Sequence, residues 1–476
     1  MATENIPKYR SLYRGMMQRI DESLAYSNAC YLSNNFRFNK VIGRACLRDG
    51  SKLIGSQIID NKPCLGLHNF ISSTASKNTL LAVFSDGTNN DIYKLGENGW
   101  VKSLEDDTKD LKTRFCTFLN SVVRVNGTDA AKSFDGSSWI TTGGAFDVAN
   151  MPKGKYVVEW KDRVYTAGVS GSPDTLYYSS TPEAGAVSWT EGNGFINIEP
   201  EDGGGTITAL AKSPGYLLIF KERSLKRWDG ASTYPESLNN IGTPSQESVI
   251  LGRDTILYFN PLGIFETNGV KSVKLSRPIQ DIIDAIPSAN YANVAGYSDG
   301  DMCRWSIGSG IKIDGITFDN VEIVYSLDDK NWTMYSYPTN HLFYSTYIDG
   351  TSIKKVCGDN DGNVLEIDTG NTDNNQNINY IYQTLSFEFG DRGRIKNIPL
   401  LEVYSKNMQG ATINCRIDGK GNFNPIGVIK DDFQEIKCDL IGKTFEFRII
   451  GTSKGGNSDF IGIDFPKGSV TESYNK

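Results

Sequence analysis

Short runs of β-forming residues, cut off again and again by Asp-Gly or Asn-Gly, constrain this chain more than any other feature. The stretch from Asp202 to Ile283 shows the scheme best. It opens on Asp202-Gly-Gly-Gly205 and continues through the apolar runs 206–211, 215–220 and 224–228 to a turn at Asp229-Gly230. Segments 247–251, 255–259 and 263–267 repeat the scheme, with Asn268-Gly269 as the next turn. Such dipeptides between β-formers read as type I′ hairpin turns, which need positive φ at both central positions. Three or four strands joined this way make one small antiparallel sheet. A succession of them predicts an all-β chain built as a β-propeller.

The repeat continues on both sides. Units 79–101, 115–140 and 156–189 precede the central stretch, and units 293–338 and 342–368 follow it. A spacing of about 30 to 45 residues is that of propeller blades. Six or seven blades are expected over residues 76–370. All seven tryptophans lie between Trp100 and Trp332 and read as core between sheets. A helix is predicted between the fifth and sixth units, with Ser276 as cap, Pro278 in its first turn, apolar positions Ile279, Ile282, Ile283 and Ile286, and Pro287 as its end.

The flanks differ from the repeat. Residues 1–75 read as an N-terminal arm with extended segments at 29–38 and 43–50, of the kind that wraps a neighbour or lends one strand to close a ring. Residues 370–378 form a polar, Asn-rich linker. Beyond it, longer alternating segments (384–389, 400–404, 411–417, 435–439, 445–450, 460–465) predict a β-sandwich over 376–476.

Composition narrows the function. The net charge of −7 argues against a surface that grips phosphate through clustered Lys and Arg. No apolar run approaches the roughly 20 residues that cross a bilayer. The N-terminus lacks the basic-then-apolar pattern of a signal peptide, so a soluble, cytoplasmic product is expected. The eight cysteines are scattered without a C-x-x-C pair, which suits free thiols in a reducing compartment better than zinc. The two histidines, His68 and His341, have no visible Ser or Cys partner for triad chemistry.

Five local patterns carry possible chemistry. Asp359, Asp361, Asn363 and Glu366 offer oxygen atoms at alternate positions, as calcium loops do, but a hairpin turn accounts for them better. Glu199, Glu201 and Asp202 gather the carboxylates a glycosidase needs, yet in a turn without Arg or Tyr arrays. Gly203 to Gly205 lack the following Lys-Ser/Thr of a phosphate loop. The segment Ser326-Leu-Asp-Asp-Lys-Asn-Trp332 resembles the Ser-x-Asp-x-Gly-x-x-Trp box of sialidase-type propellers, with Lys330 at the glycine position and the tryptophan one residue early. Asn126-Gly-Thr128 and Asn331-Trp-Thr333 fit glycosylation sequons, which carry no meaning in a cytoplasmic product. The reading therefore assigns no catalytic, cofactor-binding or metal-ligating residue, no cofactor, and no enzymatic activity.

Several longer stretches are familiar together: Leu176-Tyr-Tyr-Ser-Ser180 with Ser188-Trp189 and Phe195-Ile-Asn-Ile198, Asp202 to Leu210, Leu217 to Leu225, Leu257 to Gly269, Ser276-Arg-Pro-Ile279, and Tyr347 to Asp368. From about residue 30 to 370 they resemble the packaged-DNA stabilisation, or tail nozzle, proteins of short-tailed bacteriophages. The C-terminal 100 residues do not align with that family. The resemblance implies a structural virion protein, a tail nozzle or hub subunit in a homo-oligomeric ring, with a hexamer expected. That ring would lie below the portal–adaptor complex, retain packaged DNA and form part of the ejection channel. The implied partners are the adaptor and portal ring, tail fibres or tailspikes, and genomic DNA in passing. The implied location is the virion tail, assembled in the host cytoplasm. A glycan- or receptor-binding tail propeller (including a glycoside hydrolase) and a cellular propeller scaffold are the alternatives, although the repeats lack recurring Trp-Asp or Kelch signatures.

Overall fold

The computed structural model describes residues 8–19, 28–73, 78–183, 185–189, 194–389, 393–466 and 470–473. Its repeating element is a four-stranded antiparallel sheet, hydrogen-bonded in chain order. Blade one comprises Cys64–Phe70, Thr79–Ser85, Asn89–Gly96 and Gly99–Thr108. Blade two comprises Arg114–Phe118, Ser121–Val125, Lys132–Phe134 and Trp139–Ile140. Tyr156–Trp160, Arg163–Ala167, Thr175–Tyr178 and Phe195–Asn197 make blade three. Ile207–Ser213, Tyr216–Lys221, Leu225–Trp228 and Glu236–Asn239 make blade four. Blade five holds Ile250–Leu251, Ile256–Asn260, Gly263–Thr267 and Ser272–Lys274. Blade six holds Ala295–Ser298, Met302–Gly308, Val321–Ser326 and Trp332–Ser336.

Blade seven takes three strands from His341–Asp349, Ser352–Asp359 and Val364–Ile367. Its fourth, Ser51–Leu53, comes from the N-terminal arm and pairs antiparallel with Val364–Ile367. The described residues therefore form seven blades. The innermost strand of blade seven packs on that of blade one, and contacts between neighbouring blades continue round to blade six and back to seven. Between most blades the filling is apolar. Phe70, Leu81 and Val83 meet Val122 and Phe134, Trp160 and Tyr165 meet Leu217 and Trp228, and Leu218 and Phe220 meet Ile256 and Tyr258. Burial of this kind is the main force holding a propeller closed, at about 25 cal/mol per Å² of apolar surface.

The turns at Asp229-Gly230 and Asn268-Gly269 work differently from a type I′ hairpin. At Asp229-Gly230 and Asn268-Gly269 the glycine alone takes positive φ, +83° and +79°. The preceding side chain fixes the turn by accepting backbone N–H groups: Asp229 Oδ1 from Ala231 and Ser232, Asn268 Oδ1 from Val270 and Lys271. These are Asx turns, in which the carboxylate or amide oxygen stands in for a backbone acceptor. Paired positive φ, as a type I′ turn needs, occurs at Asp314-Gly315 and Asp418-Gly419, and without glycine at Leu119-Asn120 and Lys161-Asp162.

The described segments of the arm pack into the molecule. Cys30–Asn34 lies parallel to Trp332–Ser336 of blade six and antiparallel to Ile378–Thr384, so blade six runs on into a nine-stranded sheet that ends with Phe445–Ser453, Thr412–Ile417 and Lys420–Val428. A second sheet orders Phe36–Arg37, Ala45–Leu47, Asp459–Asp464, Ile395–Lys406 and Phe433–Gly442. One apolar core serves both sheets, blades five and six, and the arm residues Tyr9, Leu12 and Met16. The strand expected at 384–389 is shifted to Ile378–Thr384, because the end of the Asn-rich segment pairs with Phe445–Ser453. The helix expected from Ser276 shrinks to a 3₁₀ turn, Arg277–Ile279, and Gln280–Asp284. Its four isoleucines are nevertheless buried, as the spacing required.

Candidate functional site

The innermost strands of a propeller converge on its axis, and here they enclose a cavity of about 240 Å³. Leu67 and His68 of blade one, Thr113 to Phe115 of blade two, Val157 of blade three, Gln246, Glu247 and Val249 before blade five, Ala295 and Gly296 of blade six, and Phe343 and Tyr344 of blade seven line it. Blades one and two approach closely there because position 66 is glycine: a Cβ would stand 2.4 Å from the Thr113 carbonyl oxygen.

Glu247 is the one carboxylate of this lining. Arg114 grips it with both arms of its guanidinium, Nε to Oε1 at 2.7 Å and Nη2 to Oε2 at 3.2 Å, while the Lys112 ammonium stands 3.7 Å from Oε2. Burial alone would raise the Glu247 pKa, but Arg114 and Lys112 outweigh it and hold the group down at about 2. Lys112, partly desolvated, is lowered in turn, and its Nζ also donates to the Ala292 carbonyl at 2.8 Å. His68 lies against Phe115, shares a hydrogen bond of 2.7 Å with Thr117 Oγ1, and is pushed down by burial to about 4, so it is neutral at pH 7. Gln246 fastens blade four by accepting from the Leu210 N–H and donating to the Leu210 carbonyl.

Behind Tyr344 the junction of blades six and seven is ionic. Tyr344 donates to Glu322 Oε1 at 2.5 Å, and His341 Nδ1 lies 2.6 Å from the same oxygen. Arg304 pairs with Asp368 at 2.5 Å, and Lys355 reaches Asp299 and Asp368. Glu322 and Asp368 are both held below the usual carboxylate range despite burial, Glu322 chiefly through His341 and Arg304, Asp368 through Arg304 and Lys355.

The positions singled out in the sequence fall into structural roles. Glu199 and Asp202 are taken up by two buried lysines, Lys226 at 2.6 and 2.9 Å and Lys221 at 3.0 Å from Asp202, which fasten the crossover from blade three to blade four. Asp359 accepts from the N–H groups of Asp361 and Asn363 and from the Asn363 amide, which makes it a hairpin turn. In the box-like segment, Lys330 takes the positive φ (+53°) of the missing glycine and Trp332 is buried. The sequon amides are internal donors, Asn126 to Asp129 and Asn331 to the Tyr13 carbonyl. All eight cysteines are free thiols. What the sequence did not reveal is the Arg114–Glu247 pair, whose members are separated by three blades, and the two buried lysines of blade four, which no local signal marks.

No family model matches the chain, and no curated protein matches its sequence. Among solved structures it is similar to YCF48 bound to D1 peptide, with 12% identity over 67% of this chain and 96% of that one and a TM-score of 0.43. It is also similar to the Neurospora crassa Pan2 WD40 domain (10%, 67% and 93%, TM-score 0.41) and to the N-terminal domain of Nup159 (12%, 71% and 99%, TM-score 0.39). Likenesses at that level add nothing to the strand order above, which by itself defines a seven-bladed β-propeller protein. Among the described residues no helix is long and apolar enough to cross a membrane.

Proposed function

We propose that this chain is a structural subunit of a bacteriophage tail, a nozzle or hub protein that assembles as a ring below the portal and adaptor, retains packaged DNA and forms part of its exit path. The observation that carries the reading is the placement of the resembling segments. Residues 176–198, 202–225, 257–279 and 347–368 supply strands and crossovers of blades three, four, five and seven, so the likeness touches four of the seven blades. The sequence-flagged carboxylates Glu199, Asp202 and Asp359 are engaged by lysines and turn amides, which suits a scaffold better than a hydrolase. The axial cavity is too small to admit a duplex. In this reading DNA passes between copies of the chain, whose net charge of −7 disfavours holding phosphate.

A ring of this kind joins unlike surfaces head to tail with a rotation that closes. Immunogold labelling of virions with antibody against the purified chain is the test. Label at the tail, below the portal vertex, is expected. Particles that carry no label, while the protein accumulates free in the lysate, would overturn the proposal.

A further inference from the structure

A second cavity, of about 100 Å³, lies off the axis, beside the hairpin that joins Ser352–Asp359 to Val364–Ile367 in blade seven. Three carboxylates line it, Asp359, Asp361 and Asp373, and no Lys or Arg does. Arg48, from outside the wall, is committed to Asp373. Asp359 is fully buried and accepts from uncharged N–H groups of Asp361 and Asn363. The Asp361 carboxylate has no hydrogen bond or ion pair among the described residues. His341 adds an acceptor to the same wall. Its Nδ1 lies 2.6 Å from Glu322, which is held below the usual carboxylate range and therefore accepts the proton between them. Glu322 is not part of the wall, so the opposite edge of the ring is turned to the cavity. There Nε2 is buried without a hydrogen-bond partner. In the neutral ring that nitrogen is a bare lone pair, and leaving it unmatched costs free energy that a donor would recover. Among the described residues no three His, Cys, Asp or Glu side chains are grouped to hold a metal ion, so the carboxylates here are not a metal's ligand set.

From this pairing of an unmatched acceptor nitrogen with carboxylates that no cation answers, we infer that the cavity binds a small primary ammonium ion of about the size of methylammonium. Its N–H groups supply the donors that Nε2 and the carboxylates lack, and its charge offsets theirs. Pro338 and Leu365, in the same wall, give its carbon end an apolar neighbour. An alkali cation brings the charge without a donor for Nε2, and a quaternary ammonium likewise has no N–H to give. This inference is independent of the tail reading, since it concerns one subunit and not its assembly.

Ligand-observed saturation-transfer NMR on the full chain tests it, with methylammonium as probe and tetramethylammonium and potassium at matched ionic strength as competitors. Transfer to the methylammonium methyl group is expected, with neither competitor displacing it. Nα-acetyllysine amide carries the same ammonium on a protein-like stem and should be excluded; binding as tight as methylammonium would overturn the free amine in favour of a partner's lysine. Asp361→Asn should weaken binding about tenfold or more, as loss of a charged hydrogen bond does. Asp431→Asn, at an exposed position near the C-terminal sheets, should leave it unchanged. A second measurement needs no variant. The chain has two histidines, so nitrogen-15 labelling of histidine resolves both rings. Methylammonium should shift the His341 Nε2 resonance and leave His68 in place. Absence of transfer in the wild type, displacement by potassium or tetramethylammonium, equal binding by Asp361→Asn, or an unmoved His341 Nε2 would each refute the site.

Discussion

Arg48 and Asp373 face each other as a buried bidentate pair, Nη1 to Oδ1 at 2.9 Å and Nη2 to Oδ2 at 2.6 Å. One residue precedes the strand that the arm lends to blade seven and the other follows that blade's own last strand, so the pair sits where the ring is closed. Arg48 also donates to Asn35 Oδ1 and to the Ser336 carbonyl and lies 4.0 Å from the Tyr337 ring centre. Removing one partner leaves the other charge buried without compensation. Asp373→Ala should therefore cost about 3–5 kcal/mol in chemical denaturation, and the double variant Arg48→Met/Asp373→Leu less than the sum of the single ones. Additive losses would show that the two residues do not act as a pair.

The arm also contributes apolar anchors. Leu12 and Met16 are fully buried, and Asn331 holds the arm by donating to the Tyr13 carbonyl. Leu12→Ala should destabilise the chain by about 2–5 kcal/mol. Deleting residues 1–30 should yield protein that is insoluble or melts far below the full chain. A truncated protein with an unchanged melting temperature would mean that the core does not depend on the arm.

How much of this was legible follows from sequence distance. Blades two, four and five lie in runs joined by short turns, so the Asp-Gly and Asn-Gly dipeptides at 135–136, 229–230 and 268–269 announced them. Blade seven did not announce itself fully, because Ser51–Leu53 pairs with a strand more than 300 positions later. The strand Cys64–Phe70 was hidden in the arm for a related reason: Cys-Leu-Gly-Leu-His-Asn-Phe has a central glycine and weak alternation, and its place is set by contact with blades seven and two. Nothing local marks Lys221 and Lys226 as buried, because the Asp202 carboxylate that holds both comes from the crossover before their strands. No local pattern could have paired Arg114 with Glu247.

Acid stability should fall in two steps. His68 has a folded pKa below its ordinary value, near 4, so the unfolded chain takes up its proton first; stability present above about pH 6.5 is lost as pH falls towards 4. Glu247, depressed to about 2, contributes stability that is complete above about pH 4.5 and lost between there and pH 2. Its share at neutral pH is about 3 kcal/mol. Unfolding free energies measured from pH 7 to 2.5 should show a shallower second step in Glu247→Gln. An unchanged profile in that variant would remove Glu247 from the acid limb.

Asp314, at the tip of the hairpin between the second and third strands of blade six, accepts from Arg416 at 2.6 Å, Arg448 at 2.7 Å and Gln383 at 2.9 Å. It ties the propeller to the C-terminal sheets. Asp314→Ala should increase hydrogen exchange in residues 311–318 and 412–417 at once, with a loss of about 1–3 kcal/mol. Exchange that rises in the hairpin alone would show that the contact does not couple the two parts.

The tail assignment is tested most directly by a cryo-electron reconstruction of the virion tail. The account predicts a closed ring of copies below the portal and adaptor, each copy a seven-bladed disc with its axis blocked by side chains, and the DNA path running between the discs. A tail whose density at that layer is built by another protein, with this chain absent from the particle, would contradict it.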